Sequence, residues 1–242
     1  MNEKARENFE AFRANSYPGR GLSVGFDESG KRVYHAYWIM GRSENSRNRV
    51  FVVEGTTMRT AAADPAKLKD PTLVIYNAML ELPKVYIATN GDHTDTIHSH
   101  IKAGKTLVDA LATRQYEPDP PNNTPRISAV TDMRGARPVT TLSILRKSPW
   151  SDASERFHFE YGDMGPGVGY TITTYMGDGN PLPSFTGEPY LLPLEGTPKQ
   201  VAETLWGALN GENRVAIAVK AIDIVTGRSE ITVINARKQA GA

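Results

Sequence analysis

The chain has 242 residues, enough to bury a full core in one large α/β or α+β domain or in two small ones. Charged residues make up 23% and balance to a formal +1, so no general field gathers nucleic acid or an anionic membrane, and any anion recognition must be local. The absence of cysteine excludes disulfides, a thiolate nucleophile and a cysteine zinc site, and no apolar run approaches the roughly 20 residues that span a bilayer.

In chain order, residues 2–14 are expected to form a short helix, with Phe9 and Phe12 one turn apart as its apolar contact. The opening residues Met1-Asn2-Glu3-Lys4-Ala5-Arg6 hold no apolar stretch of the kind a secretory signal needs, so a cytoplasmic protein is expected. Tyr17-Pro18-Gly19-Arg20-Gly21 turns the chain into a strand at 22–26, and Asp27-Glu28-Ser29-Gly30 makes a hairpin turn to a second strand at 33–40. That strand runs into Gly41-Arg42-Ser43-Glu44-Asn45-Ser46-Arg47-Asn48-Arg49 and out into Val50-Phe51-Val52-Val53, which reads as a hairpin whose connection has chemical content. Three arginines within eight residues, interleaved with Ser and Asn, suit a small anion such as a phosphate monoester. A solvated, charged hairpin tip is the competing reading of the same residues.

Residues 54–71 read as loop or short helix closed by Asp70-Pro71, followed by strands at 73–80 and 84–89 around Pro83. Asn90-Gly91-Asp92-His93-Thr94-Asp95 then enters a helix capped by Thr94 or Asp95. Ile97 and Ile101, then Val108 and Leu111, are helix-spaced, with Gly104 separating two helical pieces. The four prolines of residues 117–126 remove donors and stiffen the backbone, which makes this a shaped loop. Strands follow at 127–131, 138–145, 156–161 and 168–176, then an irregular connection over 177–189. Thr197-Pro198-Lys199-Gln200 is a capping box with proline at the first helical position, and its helix runs to about Leu209, burying Val201, Leu205 and Ala208. Two strands at 214–225 and 229–236 close the chain. Strands in runs, helices grouped between them, and no repeat or linker indicate a single α+β domain over residues 1–242, built on antiparallel sheets.

Two stretches besides 41–49 hold chemistry-bearing side chains. Asp92, His93, Asp95, His98 and His100 invite a metal reading, but His98 and His100 are two apart and point to different faces of a helix. A zinc helix spaces its histidines four apart, so no metal ligand is assigned. The better reading of 90–95 is a pocket lining before a helix N-terminus, where backbone N–H groups favour an anion. The loop at 116–126 offers Tyr116, Glu117, Asn123, Thr124 and Arg126, either as a site or as a rigid surface crossover.

Taken together, Tyr17-Pro18-Gly19-Arg20, Gly41-Arg42-Ser43 through Asn48-Arg49, Tyr76-Asn77, Asn90-Gly91-Asp92-His93-Thr94-Asp95, and Tyr116-Glu117 with Asn123-Thr124-Pro125-Arg126 resemble the archaeal-type IMP cyclohydrolase family. The resemblance covers roughly residues 17–130; the N-terminal 16 residues, a helical extension, and parts of 145–195 look like additions to the compact form. It implies a four-layer α/β/β/α sandwich of two mainly antiparallel sheets flanked by helices, of the N-terminal-nucleophile hydrolase type. It also implies the last step of purine biosynthesis, dehydrative ring closure of 5-formamidoimidazole-4-carboxamide ribonucleotide to inosine monophosphate. The chain departs from the wider superfamily in beginning with Met1 and a polar helix instead of a Cys, Ser or Thr nucleophile, so amide hydrolysis is not expected.

The implied reaction is intramolecular and needs alignment, charge stabilisation and proton movement, with no covalent nucleophile. On this resemblance Tyr76, Glu117 and Arg42 are the catalytic set, with Tyr76 and Glu117 moving protons. Arg20, Arg42 and Arg49 make phosphate and oxyanion contacts, Ser43 and Asn48 are neutral donors, and Arg47 is the exposed arginine of the group. Asn77, Asn90, Gly91, His93, Asp95, Asn123, Thr124 and Arg126 complete the substrate-binding set. Neither cofactor nor metal is implied. The partner is a small purine ribonucleotide, not nucleic acid or membrane, and a homo-oligomer is expected by analogy. Two alternatives remain: a purine-nucleotide-binding protein without catalysis, and a related enzyme on another ribonucleotide, with the 177–189 connection reshaping specificity.

Overall fold

Residues 33–40 alternate strictly between two faces, and both faces are buried. Val33, Tyr37 and Ile39 enter one apolar cluster, while Tyr34, Ala36, Trp38 and Met40 enter another. A strand buried on both sides must lie inside a layered structure. The computed structural model describes residues 2–69 and 71–240.

The chain begins with helix α1 (Glu3–Ala14), then β1 (Gly21–Phe26), β2 (Arg32–Met40), the one-turn helix α2 (Glu44–Arg47), β3 (Arg49–Glu54) and β4 (Thr57–Ala62). It continues through β5 (Asn77–Leu82), β6 (Val85–Thr89), α3 (His93–Lys102), α4 (Leu107–Ala112), β7 (Arg126–Asp132), β8 (Val139–Lys147) and β9 (Ser154–Tyr161). Last come β10 (Val168–Thr173), β11 (Tyr190–Pro193), α5 (Pro198–Ala208), β12 (Arg214–Asp223) and β13 (Ser229–Asn235). Six strands form one sheet in the order β11-β10-β1-β2-β12-β13, and seven form a second, β3-β4-β5-β6-β7-β8-β9. Neighbouring strands within each sheet run antiparallel.

The sheets face each other across a core that takes Leu22, Tyr37 and Ile222 from the first and Met79, Ile127 and Leu142 from the second. On the outer face of the six-stranded sheet, α1 and α5 bury Phe12, Val201 and Leu205 against Trp38, Ile217 and Val219. On the outer face of the other, α3 and α4 bury Ile97, Ile101 and Leu111 against Val85, Ile87 and Val130. Each such fully buried aliphatic side chain is worth about 1.5–3 kcal/mol. The result is the four-layer α/β/β/α sandwich implied by the resemblance, with both of its sheets antiparallel. No helix among the described residues is long and apolar enough to cross a membrane.

The sandwich edges are tied differently. At one, the Asn235 amide accepts from the Phe51 N–H (2.8 Å) and donates to the Phe51 carbonyl (3.0 Å), so β13 pairs through a side chain with β3 of the other sheet. At the other, the rings of Tyr161 and Tyr170 stack with centroids 3.8 Å apart.

Several local expectations are corrected. Residues 41–49 do not connect a hairpin: both edges of β2 are taken by β1 and β12, so the chain crosses to the other sheet and starts β3 there. The stretch expected to be loop or short helix does hold a short helical turn at Pro65–Lys67, but it also contains β4, whose Ala61 and Ala62 carry little strand propensity but fit a narrow, buried position. Asp70, expected to close that stretch, lies outside the described residues. The strand expected at 73–80 starts only at Asn77, because Val74 and Ile75 donate back to the Pro71 carbonyl. Helix α3 begins at His93 with Asp92 at its cap, earlier than expected, and the Asp92 carboxylate caps nothing because arginines hold it. The short strand β11 (Tyr190–Pro193) adds to the strands expected from the sequence.

One polar cluster lies between the sheets, away from the site described below. Lys220 on β12 donates to Glu81 on β5 and to the Thr56 carbonyl, and its Nζ lies 5.6 Å from the Tyr86 ring centroid. Beside it on β2, His35 is hydrogen-bonded to the Thr131 hydroxyl (2.7 Å), and burial, helped by the Lys220 charge, drops its pKa from 6.5 to about 3. The folded value is below the unfolded one, so this stability is present above pH 6.5 and is lost as pH falls toward 3. At pH 5 His35 alone should remove about 2 kcal/mol relative to pH 8. Urea unfolding at the two pH values should show this loss, and His35→Gln should flatten it; an equally steep acid limb in the variant would assign the loss elsewhere.

Candidate functional site

The site forms where the lead-in to β1, the 41–49 crossover and the proline-rich loop before β7 meet. They enclose a cleft of about 280 Å³ lined by Arg20, Arg42, Arg49, Ser43, Glu117 and Thr124, among others. Arg20 arrives through Gly19, whose φ of +74° only glycine adopts easily. A Cβ there would sit 2.2 Å from the Thr174 hydroxyl and 2.5 Å from the Tyr175 ring. Thr174 in turn holds the Arg20 backbone, which accepts from the Thr174 N–H and donates to its hydroxyl.

Arg20 and Glu117 form a two-pronged ion pair at the floor of the cleft. Arg20 Nη2 lies 2.6 Å from Glu117 Oε2, and Nη1 lies 3.0 Å from Oε1 while also donating to the Asn90 carbonyl at 2.9 Å. Burial pushes the Glu117 carboxyl up from its ordinary value, against the opposing pull of Arg20. Burial also works against the Arg20 charge, but Glu117 together with Tyr76 and Tyr37 outweighs it and holds this guanidinium well above the usual range. The pair joins the two sheets, since Arg20 leads into β1 and Glu117 precedes β7.

The opposite wall comes from the crossover. Arg49 is buried, with Nε on the Ser46 carbonyl (2.7 Å) and Nη2 on the Met40 carbonyl (3.0 Å), leaving Nη1 without a partner among the described residues. Ser43 caps α2 and is bonded to the Ser46 hydroxyl at 2.9 Å. Arg42 is the exposed arginine of the segment: it lies over the Tyr17 ring, 5.0 Å from the centroid, and contacts Asp178 and Gly179. Arg47, expected to be the exposed one, is half-buried and tied to the Gly41 carbonyl and Asn213. Thr124 completes the wall by donating to Asp119 and accepting from the Tyr175 hydroxyl, both at 2.5 Å.

A second group supports this floor. Asn90 ties the Pro125 carbonyl and the Ile127 N–H, and Gly91 passes so close to Arg126, Glu117 and His93 that a Cβ would stand 2.8, 3.2 and 3.3 Å from their polar atoms. His93 bonds the Ile127 carbonyl through Nε2, and burial followed by the Arg126 charge holds it neutral, well below the usual histidine value. Burial disfavours charge on Asp92 as well, yet Arg114 (2.5 Å) and Arg126 (2.7 Å) hold its carboxyl below the ordinary range. Asn77 bonds Asp95 at 2.8 Å on the exposed side of the same turn. Tyr76, expected in the catalytic set, does not line the cleft: it is buried in the inter-sheet core beneath the floor, close enough to Arg20 to influence its charge, and shares a 2.7 Å hydrogen bond with Tyr37. Among the described residues no three His, Cys, Asp or Glu side chains are grouped to hold a metal ion.

The arrangement thus offers guanidinium and hydroxyl donors on one wall and a buried carboxylate on the floor, with an aromatic and hydroxyl wall between. That is a site for an anionic, polar small molecule. Among known protein families, the one described as IMP cyclohydrolase-like protein matches residues 17–227. The chain belongs to that family. It is 33% identical over 135 residues to an IMP cyclohydrolase of Methanocella arvoryzae, covering 54% of this chain and 63% of the relative. It is 37% identical over 121 residues to one of Methanococcus aeolicus, covering 47% and 57%. It is 33% identical over 118 residues to one of Methanocaldococcus jannaschii, covering 48% and 57%. The matched stretch therefore spans about three-fifths of the length of these curated relatives.

Within this IMP cyclohydrolase-like chain, Arg20, Arg42, Ser43, Arg49, Glu117 and Thr124 meet in the cleft. Asn90, Gly91, His93 and Arg126 stand behind it, with Asn77 and Asp95 further out. Asn48 is fully buried with its amide spent on the Asp64 backbone at 2.8 Å both ways, so it shapes the crossover and does not line the cleft. Asn123, with φ of +46°, makes the turn, and its neighbour Asn122 lines the cleft instead. Sequence reasoning also missed Tyr17, Ser46, Asp119, Tyr175 and Leu182. Tyr17 lay in view in the Tyr-Pro-Gly-Arg turn and Ser46 in the Ser-x-x-Ser cap; Tyr175 and Leu182 carried no local signal.

Proposed function

We propose that the chain is an IMP cyclohydrolase that closes 5-formamidoimidazole-4-carboxamide ribonucleotide to inosine monophosphate with loss of water. The observation that carries the reading is the convergence of Arg42, Arg49 and Ser43 with the buried Arg20–Glu117 pair in one cleft of a chain from this family. The substrate phosphate takes the Arg42, Arg49 and Ser43 wall, and its binding energy aligns carboxamide and formyl groups over the floor. The carboxamide nitrogen attacks the formyl carbon; a C–N bond forms and the carbonyl pair moves onto the formyl oxygen. Glu117 takes the proton from nitrogen, using a lone pair that the Arg20 fork leaves available. Tyr76, hydrogen-bonded to the Tyr37 hydroxyl, supplies one proton to the oxygen and the protonated Glu117 returns the second. The C–O bond breaks and water leaves as the formamido nitrogen lone pair forms the ring C=N, and the proton lost from that nitrogen restores Tyr76. Arg20 stabilises the charge that develops near the floor. His93, Asn90 and Arg126 keep the floor in place, and Asn77, Asp95, Asn123 and Asn48 hold the turns that carry it.

On this reading residues 1–242 act as one catalytic domain in which α1 is a covering helix, working in the cytoplasm as a homo-oligomer, the commonest assembly for soluble enzymes. The deciding experiment incubates purified protein with the formamido ribonucleotide, with and without chelator, and follows ultraviolet absorbance and chromatography. Inosine monophosphate should form in both. Tight binding of inosine monophosphate without turnover would select a nucleotide-binding protein instead, and neither turnover nor binding would overturn the substrate assignment.

A further inference from the structure

We propose that Asp178 is a positioning residue that aims Arg42 at the substrate phosphate, so that the irregular 177–189 connection, outside every motif of the site, completes it. The inference rests on the phosphate reading of the cleft given above. Arg42 follows the last residue of β2 by two positions and sits in no helix or strand. What fixes its guanidinium is one corner: Nη1 donates to Asp178 Oδ1 at 2.5 Å and to the Gly179 carbonyl at 2.9 Å. The Tyr17 ring supports the plane, 5.0 Å from centroid to Cζ. Nε and Nη2 have no partner among the described residues. Those two nitrogens form the side-on edge that grips an oxyanion with parallel hydrogen bonds. Holding the opposite corner leaves that edge presented to the cleft.

Asp178 is itself held. Its Oδ1 accepts from the Gly179 N–H at 2.9 Å. The chain before it is pinned by Asn15, which donates to the Met176 carbonyl at 2.9 Å. Beyond it, Leu182 donates to Asn122 at 3.1 Å, and Phe185, buried in the inter-sheet core, donates to the Thr174 carbonyl at 3.0 Å. The segment is therefore a strap anchored on both sides, and its Asn122 anchor lies on the same loop as Glu117 and Thr124. The Arg42 and Asp178 side chains are 37% and 48% exposed, so their ion pair adds little to stability. The contact matters for where the arginine points.

The opposite role is a competitor: a carboxylate that occupies Arg42 and must be displaced by phosphate. Two variants separate these. Asp178→Asn keeps an acceptor oxygen and loses the charge; Asp178→Ala loses both. For a positioning residue, Asp178→Ala should raise KM for the formamido ribonucleotide, and Kd for inosine monophosphate, about 3- to 10-fold, the range for freeing one long side chain. Turnover number should stay within about two-fold, as for loss of uniform binding. Asp178→Asn should rescue KM to within about two-fold of the parent protein, and Asp178→Ala should add nothing in an Arg42→Ala background. Melting temperatures of all variants, taken alongside, show that the fold is retained. Lower KM in both variants would make Asp178 a competitor and overturn the inference, as would an unchanged KM in Asp178→Ala. If the parent protein neither turns over the formamido ribonucleotide nor binds inosine monophosphate, the phosphate reading falls and this inference with it.

Discussion

Glu117→Gln should lower turnover about 10²- to 10⁴-fold, the range for removing a general base, while inosine monophosphate binding changes by less than about ten-fold. The substitution is nearly isosteric, so it opens no cavity beneath the cleft. What it removes is the ability to take a proton, and one of the two charge-assisted bonds to Arg20, because the new amide faces a guanidinium with donors of its own. Stability should therefore fall by about 1–3 kcal/mol, a loss that a melting curve records and that leaves most molecules folded. The parent enzyme should also show an acid limb in kcat placed above the ordinary glutamate value of 4.5, because burial raises this carboxyl and only its ionised form accepts the proton. Tyr76→Phe should act on the same step from the other side, losing turnover with little loss of product affinity. Full turnover in both variants would show that neither group moves the proton.

The antiparallel sheets and the helices grouped between them were legible from strand and helix periods, the four-layer order only from the family resemblance, and the motifs marked much of the site. Burial on two faces produces the run of Val33 to Met40, apolar or aromatic except for His35, and the Pro-rich loop cannot enter a sheet. Which sheet a strand joins is another matter. The crossover at 41–49 looks like a hairpin connection because the period of β2 and β3 says nothing about who occupies the edges of β2; β12, some 170 residues later, does. β4 escapes a sequence reading because, after Met58, its buried positions are Thr60, Ala61 and Ala62, where the space left by its neighbours, and not propensity, selects the residue. Within the site, the arginines and Glu117 were visible as residue types. Which of Asn122 and Asn123 faces the cleft depends on a left-handed turn residue. Likewise, which of Arg42 and Arg47 is exposed depends on Asn213 after α5 and Asp178 in the strap, neither of which any local pattern links to the crossover.

Arg20→Met should cost about 3–5 kcal/mol at neutral pH, because it leaves a buried carboxylate without its counter-charge. The Arg20 and Glu117 side chains are only 11% and 3% exposed, so water can replace little of what is lost. The cost should depend on pH in a definite direction. Without Arg20 the Glu117 carboxyl is raised further, since burial already pushes it up and the main opposing partner is gone. A folded value above the unfolded one gives stability that is intact below the unfolded pKa, near 4.5, and is lost as pH rises through the folded value. The deficit relative to the parent protein should thus be small near pH 4 and grow as pH rises, opposite in sense to the acid sensitivity that His35 contributes. Adding Glu117→Gln to Arg20→Met should recover most of the deficit at pH 8, since a neutral amide in that place is far cheaper to bury than a charge. Urea unfolding of the four proteins in the cycle at both pH values measures this coupling. A deficit independent of pH, or no recovery in the double variant, would mean that Arg20 holds the fold through the Asn90 carbonyl and the β1 lead-in, with Glu117 as a bystander. The predicted outcome instead makes this pair the fastening between the two sheets as well as the floor of the cleft, so the fold and the chemistry would be lost together when it is broken.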